Sequence, residues 1–288
     1  MAKKIELDII HANIIFPIAI IAIVLSKRLN IPLLITEHWT GYTEEDKDNL
    51  SAFKLLFVKW IVKRSSFIIT VSGNLMHSMQ KLGIKGRYRV IPNVVNENLF
   101  TLRRKKSNNI IRFIHVSTLN DKQKNISGIL RSAKLLYERR SDFYIQILGN
   151  GDFSSYIRLR DSWGLKDVIS IEGEKTIEEV AESMKQSDVF LLFSNYENSP
   201  CVISEALCIG LPVISTDVGG VKEMINDTNG MLVESKNENM LCDKMEYVIE
   251  NYDKYDNRKI RKEAVLRFGY YNVSKQINNL YEQIIKID

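Results

Sequence analysis

The sequence predicts an α/β protein made of two doubly wound domains, each a parallel sheet flanked by helices. From Asp8 to Val71, short β-branched runs alternate with longer helical patterns. A polar and basic stretch, RRKKSNN at 103–109, follows, and a second and more complete alternating series fills the rest of the chain. Such alternation is typical of parallel strands joined by crossover helices.

Composition places the chain among soluble proteins of two domains. It has 288 residues, of which 45% are hydrophobic and 26% charged, enough to bury two cores. The formal net charge of +5 mildly favours anionic ligands or an acidic membrane surface and is too small to indicate nucleic-acid binding. The three cysteines, Cys201, Cys208 and Cys242, lack paired metal or redox spacing, which predicts a reducing, cytoplasmic location.

The first domain is predicted over residues 1–107, including the linker. Strands are expected at 9–11, 33–36 and 67–71, with helices ending near Leu29, Arg64 and Leu82, and with 90–93 as a strand that leaves the sheet. The apolar run from Ile14 to Leu25 is too short to span a bilayer. Because Glu6 and Asp8 precede it where a signal peptide would be basic, we interpret it as a buried helix.

The second domain is predicted over residues 108–268. Six strands are expected, which would complete a doubly wound sheet, at 110–116, 143–148, 168–171, 189–193, 212–215 and 231–233. Residues 269–288 carry an apolar stripe at Val273, Ile277, Leu280 and Ile284. That spacing predicts a helix that packs back on the first domain.

The first series is shorter than the second and opens almost directly on a strand. A strand, a helix and the return strand occupy about 30 residues. We therefore expect that two or three such units of the first domain are missing from the start of this sequence.

The stretch NYENSPCVISEALCIGLPVI at 195–214 carries the clearest chemical signal. A strand should end at Phe193, with Ser199 as N-cap and Pro200 as the first residue of a helix. A helix N-terminus at the carboxyl end of a parallel strand suits a phosphate. Glu197 and Glu205 flank it, and carboxylates accept hydrogen bonds from sugar hydroxyls. Two isolated glutamates could equally cap amides or lie on a solvated face, so the surrounding residues decide.

These residues resemble the retaining glycosyltransferases called group 1 or family four. The family signature is Glu, seven residues, Glu and Ala, followed by a Gly-Leu-Pro-Val turn, and it is matched by Glu197, Glu205, Ala206, Gly210, Leu211, Pro212 and Val213. The likeness extends through Thr216, Asp217, Val218, Gly219, Gly220 and Glu223, and upstream through TEHW at 36–39, TVS at 70–72 and VIPNVV at 90–95. The resemblance implies a GT-B fold of two facing Rossmann-like domains, the first incomplete.

The resemblance also implies roles for individual residues. Glu205 would hold the ribose hydroxyls of a nucleoside diphosphate sugar, and Glu197 would contact sugar hydroxyls beside the reacting carbon. The loop amides at Asn198, Ser199 and Pro200 would bind phosphate. Lys124 matches the lysine of a basic pair that neutralises the departing diphosphate.

Three further positions are weaker candidates. Thr118 stands where the arginine of that basic pair is expected, and Lys122 is a possible substitute, although it could simply solvate a turn. His38, in TEHW, would lie near the donor sugar and the acceptor. Gly149 and Gly151 would line the nucleotide pocket because glycine allows close backbone approach, or would form a tight turn.

We expect no metal and no cofactor other than the donor. The four histidines are scattered, and no zinc spacing or nucleotide loop of another class is present. An Asp-x-Asp at 46–48 lies in an acidic run before a helix, where acidic residues favour the first turn.

The sequence therefore predicts a retaining transferase that moves a hexose-type sugar from a UDP- or GDP-sugar to a saccharide or lipid-linked acceptor. By family habit it would act in surface polysaccharide biosynthesis, in the cytoplasm or at the cytoplasmic face of the inner membrane. One alternative is a catalytically impaired, truncated remnant that binds nucleotide sugar or a partner subunit. A nucleotide-sugar epimerase of the same architecture is a third hypothesis, which the transferase motif disfavours.

Overall fold

The computed structural model describes residues 7–44, 46, 50–103 and 110–287. The chain divides into two compact units, one of Met1–Asn93 with Tyr271–Asp288 and one of Val94–Tyr270. Both are α/β units with parallel sheets, as the sequence predicts. Residues 104–109 of the predicted linker lie outside the described residues, and the division falls before that linker.

The first unit is built on a four-stranded parallel sheet in the order β1-β2-β3-β4. Its strands are β1 (Ile10–Asn13), β2 (Leu33–Glu37), β3 (Phe67–Thr70) and β4 (Tyr88–Val90). The helices that follow the first three strands are α1 (Ile18–Leu29), α2 (Ala52–Val62) and α3 (Gly73–Lys81). The C-terminal helix spans Tyr270–Ile287.

Alternate residues of these strands face opposite sides of the sheet. Leu33, Ile35 and Ile68 pack with α1 and α2 in one cluster. Leu34, Phe67 and Ile69 pack against the C-terminal helix in another, to which it contributes Val273, Leu280 and Ile284. The apolar stripe read from the sequence is therefore the buried face of this helix.

Two expectations for the first unit were wrong in detail. Residues 90–93 do not leave the sheet as a strand. Instead β4 pairs parallel to β3 and ends at Val90, since Pro92 has no N–H for a sheet ladder.

The apolar run at 14–25 is not a buried helix throughout. In α1 only Ala19, Ala22 and Ile23 are buried, because it packs on β1 and β2 at the edge of the sheet with α2 beside it. Ile21 is 68% exposed and Val24 46%. Among the described residues, no helix combines the length and apolar character needed to cross a membrane.

The second unit contains a six-stranded parallel sheet in the order β10-β9-β8-β5-β6-β7. All six predicted strands are confirmed, as β5 (Ile111–Thr118), β6 (Phe143–Asn150), β7 (Ile169–Glu172), β8 (Val189–Leu192), β9 (Val213–Thr216) and β10 (Gly230–Val233). The helices are α4 (Asp121–Lys124), α5 (Ile126–Tyr137), α6 (Ser154–Ser162), α7 (Ile177–Lys185), α8 (Cys201–Ile209), α9 (Glu238–Asn251) and α10 (Asn257–Phe268). This is the Rossmann-like strand order, with its switch point between β5 and β8.

The segment before the predicted linker is part of the second unit. Val95 forms a parallel bridge with Gly269. Arg103, expected in a solvated linker, is only 5% exposed, because its guanidinium lies 2.7 Å from the Asp188 carboxylate and donates to the Tyr252 hydroxyl at 3.0 Å. Asp188 also accepts a hydrogen bond of 2.8 Å from the Arg112 amide.

Removing one partner of this buried ion pair should destabilise the second unit strongly. Asp188→Ala leaves the Arg103 guanidinium buried without its counter-charge, which should lower the free energy of unfolding by about 3 to 5 kcal/mol, measured by urea denaturation. The matched control, Glu238→Ala, removes the more exposed pair with Arg131 and should cost at most about 1 kcal/mol. Equal losses in the two variants would contradict a special contribution from the buried pair.

Candidate functional site

The switch point brings two loops of the second unit together. One loop leads from β5 into α4, and the other follows β8. The backbone N–H of Asn195 donates to the Gln123 carbonyl at 2.7 Å, and the Asn195 side chain donates to the Lys122 carbonyl at 2.9 Å. The neighbouring positions of β5 and β8 thus fix both loops against each other.

Lys124 and Glu197 form an ion pair across these loops. Their side chains are 12% and 6% exposed, so the pair is largely shielded from solvent. The Ser194 hydroxyl donates to the same carboxylate oxygen, Oε1, at 2.7 Å. Among the described residues, none donates to Oε2 of Glu197. The structure therefore joins two residues that the sequence analysis had chosen from separate motifs, and both contacts use the same carboxylate oxygen.

The loop after β9 holds the Glu197 segment from a third side. Gly219 has a φ of +54°, and a Cβ there would lie 1.8 Å from the Glu197 carbonyl oxygen. The Gly220 N–H donates to the Asn198 carbonyl at 2.9 Å, and the Thr216 hydroxyl donates to the Ser194 carbonyl at 2.7 Å. Only glycine permits this approach of one backbone to another.

Helix α8 starts one residue later than expected. It begins at Cys201, and Pro200 holds the N-cap position with φ −66° and ψ 118°, so the assignment of Ser199 as N-cap was wrong. A proline disfavours helical backbone at the residue before it, and Pro200 itself is extended, so the helix begins only at Cys201. The first turn of α8 still presents its N–H groups and positive dipole end at the close of this loop.

Glu205, in the middle of α8, is a carboxylate without a protein partner. Its side chain is partly buried, and the resulting desolvation raises its pKa to about 7. No described residue donates a hydrogen bond or a counter-charge to it. Holding an unpaired carboxyl in a desolvated position is unfavourable, and such groups are found preferentially at functional sites.

The raised pKa of Glu205 should make the protein less stable at alkaline pH. The folded state retains a proton that the unfolded chain releases above a pKa of 4.5, so this contribution falls as the pH rises from about 4.5 to 7. Glu205→Gln should therefore raise the free energy of unfolding at pH 8, on the order of 2 kcal/mol. Urea titrations of both proteins at several pH values measure this, and the difference should shrink toward pH 4.5; a constant difference would contradict a titrating carboxyl.

The predicted glycines have structural reasons for their identity. A Cβ at Gly149 would lie 1.9 Å from the Ser117 carbonyl on β5, and Gly151 has a φ of +115°. Both thus serve the packing and the turn after β6, and their place in a nucleotide pocket stays a prediction.

Neither Thr118 nor Lys122 takes the place of the expected arginine in this structure. Both are exposed. Thr118 is uncharged, and Lys122 forms no ion pair with Glu197 or Glu205.

Beneath the same loops lies a buried histidine that the sequence analysis missed. His115 on β5 has ring nitrogens 2.9 Å from the Leu191 carbonyl and 2.7 Å from the Ser117 hydroxyl. Burial lowers its pKa to about 4, so it is neutral and bridges β5 to β8. In the described part of the chain, no three His, Cys, Asp or Glu residues are grouped as metal ligands.

The first unit holds His38 at the carboxyl end of β2. The preceding residue, Glu37, is 1% exposed and accepts hydrogen bonds from the amides of Ile15, His38 and Trp39 at 3.0, 2.8 and 2.9 Å. Partial burial lowers the pKa of His38, while Glu37 and Asn93 oppose that shift. Glu37 therefore fixes the backbone on both sides of the histidine.

His11, the second residue of the neighbouring strand β1, is another polar residue that the sequence analysis overlooked. Its ring nitrogens lie 2.7 Å from the Tyr281 hydroxyl and 2.7 Å from the Thr36 hydroxyl. Burial and the nearby His38 lower its pKa. His11 is the one polar side chain in the strand predicted at 9–11, and that was the signal that could have found it.

Comparison with family profiles shows which protein family this chain belongs to. The profile of "Glycosyl transferases group 1" matches residues 74–265. The chain belongs to the group 1 glycosyl transferases. A second profile, "Glycosyltransferase Family 4", matches residues 1–99.

Individual relatives agree with that assignment. The chain is 24% identical over 304 residues to the N-acetyl-alpha-D-glucosaminyl L-malate synthase of Bacillus anthracis, covering 100% of this chain and 78% of the relative. It is 29% identical over 122 residues to the amylovoran biosynthesis glycosyltransferase AmsK of Erwinia amylovora, covering 40% of this chain and 30% of that one. The Anabaena protein Alr3699/HepE, solved in complex with UDP, has the same fold, with a TM-score of 0.83 at 19% identity over 96% of this chain and 79% of that one. It has also been solved with UDP-glucose.

Proposed function

We propose that this group 1 glycosyltransferase moves a hexose-type sugar from a UDP- or GDP-sugar to a saccharide or lipid-linked acceptor, with retention at the anomeric carbon. The observation that carries the proposal is the shielded Lys124–Glu197 pair in the loops beside α8, together with the unpartnered Glu205. The UDP and UDP-glucose complexes of the Anabaena protein support the donor class. The relative named for amylovoran biosynthesis supports a role in surface polysaccharide assembly.

In this proposal the second unit binds the donor. Glu205 accepts hydrogen bonds from the ribose hydroxyls, which would repay the cost of its desolvation. The α8 N-terminus, with the loop at Asn198, Ser199 and Pro200, receives the diphosphate. The free Oε2 of Glu197 accepts from a hydroxyl of the donor sugar.

The remaining candidates have supporting roles. Gly149 and Gly151 allow the backbone after β6 to approach the nucleotide. His38, from the first unit, contacts the donor sugar or the acceptor. We propose no metal and no cofactor beyond the donor, because Lys124 and the helix dipole supply positive charge for the leaving group.

The transfer breaks the bond between the anomeric carbon and the diphosphate oxygen and forms one to the acceptor hydroxyl oxygen. The acceptor proton passes to the departing phosphate oxygen. Lys124 and the α8 N-terminus stabilise the negative charge that develops there. The protein mainly orients the reactants and supplies preorganised charge.

Retention by attack from the same face fits the state of Glu197. A carboxylate whose negative charge is compensated by a lysine ammonium and a serine hydroxyl is a weaker nucleophile, even at its other oxygen, Oε2. A covalent glycosyl intermediate on Glu197 is therefore disfavoured.

The three cysteines are free thiols, which supports the proposed cytoplasmic location.

The first test is calorimetric titration of the purified chain with UDP, GDP, UDP-glucose and GDP-mannose. We expect micromolar binding of one nucleotide class. Glu205→Gln should weaken it by about 1.5 to 3 kcal/mol, because the hydrogen bonds to a charged acceptor are lost. The absence of binding by a chain that unfolds cooperatively would overturn the proposal.

Lys124→Ala should weaken donor binding and reduce turnover more than Lys122→Ala does. Loss of one preorganised donor to a leaving group costs about 2 to 4 kcal/mol in the transition state, whereas Lys122 is exposed and makes no ion pair with a described residue. Steady-state release of UDP or GDP in the presence of acceptor oligosaccharides measures the effect. The alternative hypothesis of a non-catalytic binding protein predicts donor binding with no release in either variant or the parent.

A further inference from the structure

A cavity of about 590 Å³ lies beside β10, the outermost strand on one side of the six-stranded sheet. Ile225 and Leu232 line it from the hydrophobic cluster on one face of that sheet, and Met231 lines it from the cluster on the other face. Tyr255 also lines it and packs against both clusters. The cavity therefore lies along the open edge of the strand, and we call it the edge cavity.

The open edge of β10 carries backbone groups that point away from β9. The Asp217 N–H donates to the Val233 carbonyl, so Val233 and, two residues earlier, Met231 bond to β9. Alternate residues of a parallel ladder face opposite sides, which directs the Gly230 carbonyl and the N–H and carbonyl of Leu232 outward. Among the described residues, none hydrogen-bonds to the Leu232 backbone. These groups can pair with the donor and acceptor atoms of a ligand.

Two tyrosines give the edge cavity aromatic walls. Tyr247, on α9, is 41% exposed, and Tyr255 follows the short turn of 3-10 helix after α9. Burial raises the pKa of Tyr255, and the nearby Tyr247 and Asp227 raise it further, so the three side chains converge on this cavity. An exposed aromatic ring beside backbone donors and acceptors suits a planar heteroaromatic ligand, because nucleobases stack on aromatic side chains.

Two lysines bring positive charge to the same cavity. Lys244 and Lys254 both line it, and neither forms an ion pair with a described residue. The Lys254 ammonium lies 5.3 Å from the centroid of the Tyr247 ring and 3.4 Å from its hydroxyl oxygen. Ammonium groups without a counter-charge are suited to phosphate oxygens, and here they lie next to an aromatic wall.

Most carboxylates near these lysines are compensated or line another cavity. Three on α9 form ion pairs with arginines that follow α5: Asp243, Glu246 and Glu250. Two line a neighbouring cavity: Asp253 and Asp256. Asp227 is the one carboxylate that lines the edge cavity. A single carboxylate leaves the lining with a net positive charge, and it can accept hydrogen bonds from ribose hydroxyls.

The edge cavity is separate from the loops that carry Lys124 and Glu197. Its strand residues begin at Gly230, the amino end of β10, whereas those loops follow the carboxyl ends of β5 and β8. In addition, β9 lies between β10 and β8. A ligand in the edge cavity would therefore leave the proposed donor site free.

We propose that the edge cavity is a second nucleotide site, which binds a nucleoside phosphate independently of the donor. The base stacks on Tyr247 and pairs with the Leu232 N–H and the Gly230 carbonyl, while Lys244 and Lys254 contact the phosphates. The volume is within the usual range for small-molecule sites. An extended peptide would also pair with the strand edge, whereas one nucleotide uses the backbone edge, the aromatic ring and both lysines together.

Equilibrium dialysis of the full chain with labelled ADP, GDP and UDP tests this proposal. ADP is the main probe, because the proposed donors carry uracil or guanine. We expect saturable binding of ADP that Glu205→Gln leaves unchanged, since Glu205 belongs to the proposed donor site. Tyr247→Ala should weaken ADP binding by about fivefold or more, because the base loses its stacking partner.

The lysines are tested by comparing ADP with adenosine, which has no phosphate. Lys244→Gln and Lys254→Gln should each weaken ADP binding by up to about fivefold and leave adenosine binding unchanged. Tyr271→Ala and Lys275→Gln are matched controls on the C-terminal helix, where the Lys275 ammonium lies 5.9 Å from the centroid of the Tyr271 ring. Neither control should alter binding of either ligand. Cooperative urea unfolding of each variant shows that it remains folded.

Three results would overturn the proposal. They are no saturable binding of ADP, GDP or UDP by the Glu205→Gln chain, equal ADP affinities of Tyr247→Ala and Tyr271→Ala, or competition by inorganic phosphate as strong as that by unlabelled ADP. The last result would reduce the edge cavity to a simple anion site. ADP binding that persists in a chain without donor binding would support this inference and contradict the proposed function.

Discussion

The neighbouring positions of β5 and β8 are the constraint on which the candidate site depends. Parallel strands end at the same edge of a sheet, so this adjacency places the α4 loop beside the loop before α8. Only with these two strands adjacent can the Lys124 ammonium form an ion pair with the Glu197 carboxylate. The register is supported below the site by His115, whose neutral ring joins the two strands, and above it by the Asn195 hydrogen bonds.

Several energetically unfavourable features gather at this one edge. Glu205 is desolvated without a partner, and Gly219 holds a left-handed backbone against the Glu197 carbonyl. Each costs stability that the hydrophobic packing around the sheet offsets elsewhere in the same unit. Local destabilisation at an otherwise well-packed site is the pattern expected where a protein is shaped for a ligand.

The sequence predicted what depends on local pattern and failed where tertiary neighbours decide. The six strands of the second unit were recognisable because β-branched runs with turn residues at both ends have few alternatives. The exposed side of α1 could not be read from an apolar run, since burial depends on which helices lie beside it. Arg103 was assigned to a linker because its ion-pair partner, Asp188, is distant in the sequence. The likeness to two separate family motifs identified Glu197 and Lys124. The importance of Ser194, Glu37 and His11 can be recognised only from their contacts in the structure.

The raised pKa of Glu205 has a consequence for the energetics of any ligand that hydrogen-bonds to its ionised form. Near neutral pH such binding would release a fraction of a proton per complex, since the raised pKa leaves part of the carboxyl protonated. Part of the observed heat would belong to the buffer that accepts the proton, and the apparent affinity would fall as the surroundings acidify. A carboxyl poised in this way couples occupancy of the second unit to the acidity of its compartment, through a group that carries no counter-ion of its own.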